Sequence, residues 1–235
     1  MPNVDYSELF PLINGEVSGA DDAVVEQATR QASREFFRKT GVWTEALADI
    51  PTGPSIAEYD IPTSDPKEYL VHRISSAVHL LSSGGETLLQ PAGTGQMAGG
   101  IAGTTEDSFD LVPRGDWRSK SGTPRYYTHD AAITKVRLVP FPTIESVGTL
   151  RIVAVIAPTR RSTGIPSEHL ERYDSVIAAG ARYLLKRVPD RTWSDPQGSY
   201  DDLRVFRDGI AHARSDALRS NTSTKFVVSP PFRIA

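Results

Sequence analysis

The 235-residue sequence contains no cysteine. That absence excludes disulfide scaffolds, thiolate metal sites and cysteine nucleophiles together. Also missing is any apolar run near the roughly 18 residues a membrane-spanning helix needs, and the opening Met-Pro-Asn-Val-Asp has neither the basic nor the apolar region of a signal peptide. A soluble, non-exported protein without a membrane partner is therefore expected. The formal net charge is only -3, which gives no basis for a general nucleic-acid or membrane-surface binder.

Catalytic signatures are equally scarce. The stretch GTGQMAGG has the glycines of a phosphate loop but not the spacing, and no Lys-Ser or Lys-Thr directly follows its last glycine. The histidines His72, His79, His129, His169 and His212 show no zinc-type spacing, and EHLERY at 168–173 is not His-Glu-x-x-His. No Gly-x-Ser-x-Gly elbow is present, and the carboxylates show no pairing in sequence. An Arg-Gly-Asp within DLVPRGDW, 110–117, reads as a strand-to-loop segment and not as an adhesion site. No catalytic residue, metal or cofactor is expected, and the chain is not expected to be an enzyme.

What is present is organised by charge and by periodicity. Residues 1–29 carry Asp5, Glu8, Glu16, Asp21, Asp22 and Glu26 and no base, whereas Arg204, Arg207, Arg214, Arg219, Lys225 and Arg233 dominate residues 203–235. Two readings fit: solvated helix faces biased by helix dipoles, or complementary edges of a head-to-tail ring. The second makes Asp21, Asp22, Glu26, Arg204, Arg207 and Arg214 a candidate ring interface.

Residues 21–41 place Val25, Ala28, Ala32 and Phe36 at helical spacing, with acids first, Arg38 and Lys39 last, and Gly41 as a left-handed stop. From 42 to 157 the pattern changes to short runs between Pro and Gly clusters: TEALADI, SIAEYDI, EYLVHRISSAVHLL, ETLLQ, RYYTHD, ITKVRLVPF and TLRIVAVIA. These read as strands of an antiparallel sheet or small sandwich. Hairpins are expected at Gly84-Gly85 and between Phe141 and Thr149. The glycine-rich residues 91–108 read as a surface loop. Beyond Pro166 a second helical stripe runs through Leu170, Tyr173, Ile177, Ala181 and Leu184, with AAGA at 178–181 suited to close packing. Ser194 and Gln197 then have capping-box spacing, and Tyr200, Leu203, Phe206, Ile210, Ala213 and Ala217 outline a helix of roughly 24 residues, about 36 Å long.

The expected class is α+β: a helical bundle of three long helices with an inserted antiparallel β region and an extended C-terminal tail. Its parts are an N-terminal helical segment (1–41), a β-rich region (42–157), a two-helix part (158–220) and a docking tail (221–235). Across the boundary of these last two parts Ser220, Asn221, Thr222 and Ser223 form a polar hinge, followed by Lys225, Phe226, Val227, Val228, Pro230, Pro231, Phe232, Arg233 and Ile234. So apolar a terminal segment argues for docking, on its own domain or on another chain. An extended segment of this kind can add a strand to a partner's sheet edge. Trp43, Trp117 and Trp193 sit at element edges, either closing the core or anchoring an interface.

Four segments, in this order, resemble one family: SELFPLINGEVSGADDAVVEQATRQASREFFRKTGVW (7–43), WRSKSGTPRYYTHDAAITKVRLVPFP (117–142), LRIVAVIAPTRRSTGIP (150–166) and YDSVIAAGARYLLKRVPDRTWSDPQGSYDDLRVFRDGIAHAR (173–214). They look like the head-to-tail adaptor, or connector, proteins of tailed bacteriophages. That resemblance implies a structural protein at the head-tail interface of the virion, made in the host cytoplasm. It implies a homo-oligomeric, dodecameric ring under the portal protein that prolongs the DNA channel without binding DNA specifically. The ring would seat the tail, nozzle or tail-fibre proteins, and the segment Lys225 to Ala235 would clasp the portal. The alternative is another virion assembly role, tail completion or head closure, with a different attachment site.

Overall fold

The computed structural model describes residues 3–63, 65–92 and 121–220. Strand β1 (Asn3–Asp5), a 3-10 turn (Tyr6–Leu9) and helix α1 (Phe10–Asn14) lead to α2 (Asp22–Thr40). The α2 stripe is buried as its periodicity requires, through Val25, Ala28, Ala32, Phe36 and Phe37. Gly41 ends it in the left-handed region (φ 68°), its N–H donating to the Phe37 carbonyl at 3.0 Å.

Among the described residues nine strands follow: β2 (Thr44–Ala46), β3 (Ile50–Thr52), β4 (Glu58–Asp60), β5 (Tyr69–Leu81), β6 (Glu86–Pro91), β7 (Tyr126–His129), β8 (Lys135–Val139), β9 (Gly148–Pro158) and β10 (Gly164–Pro166). Helices α3 (Ser167–Lys186) and α4 (Pro196–Ser220) complete the described chain. β10 pairs with β1, and the other eight form one curled sheet in the order β2-β9-β5-β6-β7-β8-β4, with β3 also on β9.

This sheet overturns the expected bundle of three long helices. The fold is mixed α/β, organised on a half-barrel sheet with four α-helices among the described residues. Strands that are short one by one add up to a single layer because β5 and β9 pair along their whole lengths and carry the rest. The sheet is not purely antiparallel either, since β6 and β7 run parallel. The turn at Gly84-Gly85 does join the β5–β6 hairpin. The expected hairpin between Phe141 and Thr149 is absent: β8 pairs with β7 and β4, and the chain crosses through a 3-10 turn (Ile144–Ser146) to β9.

Within β5, Val71, Ile74 and Ala77 are buried at steps of three. A regular strand alternates by two, and the register shifts between Val71 and Arg73 and between Ile74 and Ser76 account for the difference. Such bulges bend a strand and increase its twist, which suits a sheet that curls around Tyr127, Leu138, Leu150 and Ile152. At the far end of β5 a side chain at Gly148 would have no room, because a Cβ would lie 1.8 Å from the Leu80 carbonyl oxygen. There the Gly148 N–H donates to the Thr52 hydroxyl at 2.9 Å, and Thr52 bonds the buried His79 Nε2 at 3.0 Å.

The helices stack outward from the sheet. α2 lies on β9, α3 packs on α2 and on the β1/β10 ribbon, and α4 packs mainly on α3. An aromatic cluster seals the joint between α2, α3 and the sheet: Phe37 meets Trp43 edge to face at 5.4 Å, and Trp43 meets Tyr69 at 4.8 Å. Trp43 thus closes the core.

Candidate functional site

Helix α4 is the element that leads to the C-terminal segment singled out in the sequence. Its start is fixed by Asp195, whose carboxylate accepts the Gly198 N–H at 3.0 Å while its carbonyl accepts the Ser199 N–H at 2.9 Å. The expected box of Ser194 and Gln197 is therefore displaced by one residue, with Pro196 in the first turn. Trp193 is half-buried against the core, with the Arg191 guanidinium 5.8 Å from its ring centroid.

A group of four charges holds the base of α4 to the rest. Lys186 Nζ lies 2.7 Å from Glu16 Oε2 and 2.8 Å from Asp202 Oδ2. Arg182 Nε lies 2.9 Å from Asp202 Oδ1, and its guanidinium also donates to the Leu12 carbonyl at 3.0 Å. Three separate parts of the chain meet here: the residues between α1 and α2, helix α3, and α4. Hydrogen bonding to Lys186 holds the Glu16 carboxyl below its ordinary range, against the opposing effect of burial. Lys186 is pushed up because the pairing with Asp202 and Glu16 outweighs its own desolvation.

Midway along α4, Phe206 fills the notch left by Gly180. A Cβ on Gly180 would lie 2.7 Å from the Phe206 ring and 3.0 Å from Ala32 Cβ. The small residues of AAGA therefore bring α2, α3 and α4 together at one point. Tyr200, expected in the stripe, lies outside it at 67% exposed, and Val205 and Leu218 also face solvent. The buried line of α4 runs through Ser199, Asp202, Phe206, Ala213 and Ala217 instead.

The six charged residues of the candidate ring interface are not brought together within one subunit. Asp21 and Asp22 are exposed at the start of α2, and Glu26 is half-buried in an ion pair with Arg30. Arg204, Arg207 and Arg214 lie on the outer face of α4, with Arg204 4.0 Å from Asp208. Ser220 is the last residue of α4; Asn221, Thr222, Ser223 and the segment from Lys225 to Ile234 lie outside the described residues. So do Trp117, the Arg-Gly-Asp tripeptide and most of the glycine-rich stretch.

One feature had no counterpart in the sequence reading. The outer face of α2 and strand β5 form an open cleft of about 430 Å³ lined by Gln31, Arg34, Glu35, Arg38, Lys39 and His72. The i, i+4 spacing of Arg34 and Arg38 was the available signal, but His72 reaches the cleft only through the sheet. Among the described residues no group of three or more His, Asp or Glu could hold a metal, and no helix is long and apolar enough to cross a membrane.

No curated protein matches the chain. The family of the SU10 adaptor protein matches over residues 4–226, a span that takes in every helix and the sheet. That agrees with the resemblance to phage head-to-tail adaptors, carried by segments from both helical parts and the sheet. A match of this extent settles membership: the chain belongs to the SU10 adaptor protein family.

Proposed function

We propose that the protein is a non-enzymatic, structural head-to-tail adaptor of the virion, whose copies form a dodecameric ring under the portal protein. The ring continues the DNA channel without binding DNA specifically and seats the tail, nozzle or tail-fibre proteins. The observation that carries this reading is the family match over residues 4–226. The anchorage of α4 supports it. A 25-residue helix, capped by Asp195 and locked at its base by Lys186, Arg182, Glu16 and Asp202, serves as a strut from which a further segment can reach a partner.

In this reading Ser220, Asn221, Thr222 and Ser223 are the hinge, and Lys225 to Ile234 are the portal-docking segment. Lateral contacts run between an acidic edge at Asp21, Asp22 and Glu26 and a basic flank of the neighbouring subunit, for which Arg204, Arg207 and Arg214 are exposed candidates. The test is removal of residues 222–235. The truncated protein should keep its circular dichroism spectrum and melting temperature but no longer attach to portal complexes in pull-down or negative-stain images. A truncated protein that still decorates portals overturns the assignment of the docking segment, and attachment to tail tube in place of portal favours a tail-completion role.

A further inference from the structure

The α2 cleft has an excess of positive charge that no carboxylate among the described residues balances. Glu35, its one carboxylate, is taken up by Lys39. Arg34 and Arg38 have no carboxylate partner among the described residues, and Arg160 adds a third positive charge next to Arg34. The Arg34 Nε is buried without a hydrogen-bond partner among the described residues, an uncompensated desolvation cost. Burial first, and then the charges of Arg160 and Arg38, hold the Arg34 guanidinium below its ordinary range.

The same chain carries a matching anionic edge. Of the acids that open the sequence, Glu16 is paired with Lys186, Glu26 with Arg30, and the Asp5 carboxylate accepts the Ser7 N–H. Glu8, Asp21 and Asp22 remain exposed and without a partner among the described residues, and of these Asp21 and Asp22 are adjacent, beside the exposed side chain of Val24. From Asp22 to Arg38 is 16 residues of one helix, roughly 24 Å at 1.5 Å per residue. The two patches therefore cannot meet within a subunit, and a contact between them joins two copies; run head to tail it is heterologous, the kind that closes into a ring.

We infer that the cleft of Arg34 and Arg38 receives the Asp21–Asp22 edge of a second copy of this chain. The inference rests on the ring reading and refines it, making the α2 cleft, in place of the α4 arginines, the basic half of the lateral contact. The α4 face is the poorer receiver because Asp201 and Asp208 share it with Arg204 and Arg207. Duplex DNA is the poorer occupant because a net charge of -3 gives no general attraction to a polyanion.

A charge swap in the full-length protein tests this. R34E/R38E and D21K/D22K should each remain monomeric by mass photometry under conditions where the unaltered chain assembles, alone or on portal complexes. Mixing the two variants should restore assembly, because each then offers the other a complementary pair. Either variant assembling normally alone, or a mixture that stays monomeric, overturns the inference. So does assembly lost in R204E/R207E but kept in R34E/R38E, or salt-dependent duplex binding that R34E/R38E alone abolishes. Failure of the unaltered chain to assemble under any of these conditions overturns the ring reading itself.

Discussion

Asp202 shows how much of this fold depends on one carboxylate. It is 5% exposed and faces two cations, Arg182 and Lys186, whose other partner Glu16 is half exposed. Removing one member of a buried ion group leaves the others desolvated and unpaired, which costs more than the group itself contributes. Asp202→Asn should lower stability by about 3 kcal/mol, at the low end of such losses because Glu16 stays. The double variant Asp202→Leu with Lys186→Met should recover part of that loss, and urea titrations of the two variants check it. A double variant less stable than Asp202→Asn alone would mean that the group acts through something other than paired charge. The sequence contained Asp202, Lys186 and Glu16 but nothing that joined them, since 170 positions separate Lys186 from Glu16. A helix stripe reports which side is buried, and it does not report that a buried position holds a charge.

At the scale of elements, the junction of α2, α3 and α4 turns on Gly180. In an exposed helix interior an alanine in place of glycine stabilises by roughly 1 kcal/mol. Here the added methyl meets Phe206 and Ala32 at 2.7 and 3.0 Å, so the helices must separate or Phe206 must leave its rotamer. Gly180→Ala should therefore destabilise by about 1–3 kcal/mol despite its better propensity. Gly15→Ala, whose Cβ would meet only the Pro11 carbonyl at 3.7 Å, should change the melting temperature little. A stabilised Gly180→Ala protein in differential scanning calorimetry would show that the packing there is looser than described. This close approach was legible from AAGA, as were α2 and its Gly41 stop. All seven apolar runs between 42 and 157 hold strands, one of them two. Their pairing was not legible, because local pattern states that a strand is half-buried without naming its neighbour. The parallel contact of β6 with β7 joins Gln90 and Pro91 to Tyr126 and Tyr127 across a long connection, and the long β5 and β9 gather the short strands into a sheet. Length and periodicity made the helices look like the organising layer, and this non-local pairing is why they are not. The Tyr200 misassignment has a similar cause: an aromatic at the right spacing still faces water when no neighbouring element covers that side of the helix.

For the whole molecule, the most general consequence is a dependence of stability on acidity. His72, His79 and His169 all lie below their ordinary imidazole range, each chiefly because burial disfavours the charged ring, with Arg38 and Arg73 adding repulsion at His72. In the unfolded chain these rings take up protons at pH about 6.5. Below that value the unfolded state holds more protons than the folded one, so stability is fully present above it and falls as acid is added. Glu16, held down by Lys186, extends the loss below its ordinary value of 4.5, where its paired carboxylate is finally protonated. The melting temperature should thus be level near neutrality, decline below pH about 6.5, and decline further below about 4.5. His79→Gln should flatten the first decline while lowering stability near neutrality, since Thr52 loses a fitted partner in the space beside Gly148. Because assembly raises apparent stability through mass action, the measurement belongs at one low protein concentration, in a variant such as D21K/D22K that stays monomeric and leaves Arg38 beside His72. A melting temperature unchanged between pH about 7.5 and 5.5 would mean that the three rings are hydrated in the folded protein, and the sealed joint of Phe37, Trp43 and His169 would then have to open to water.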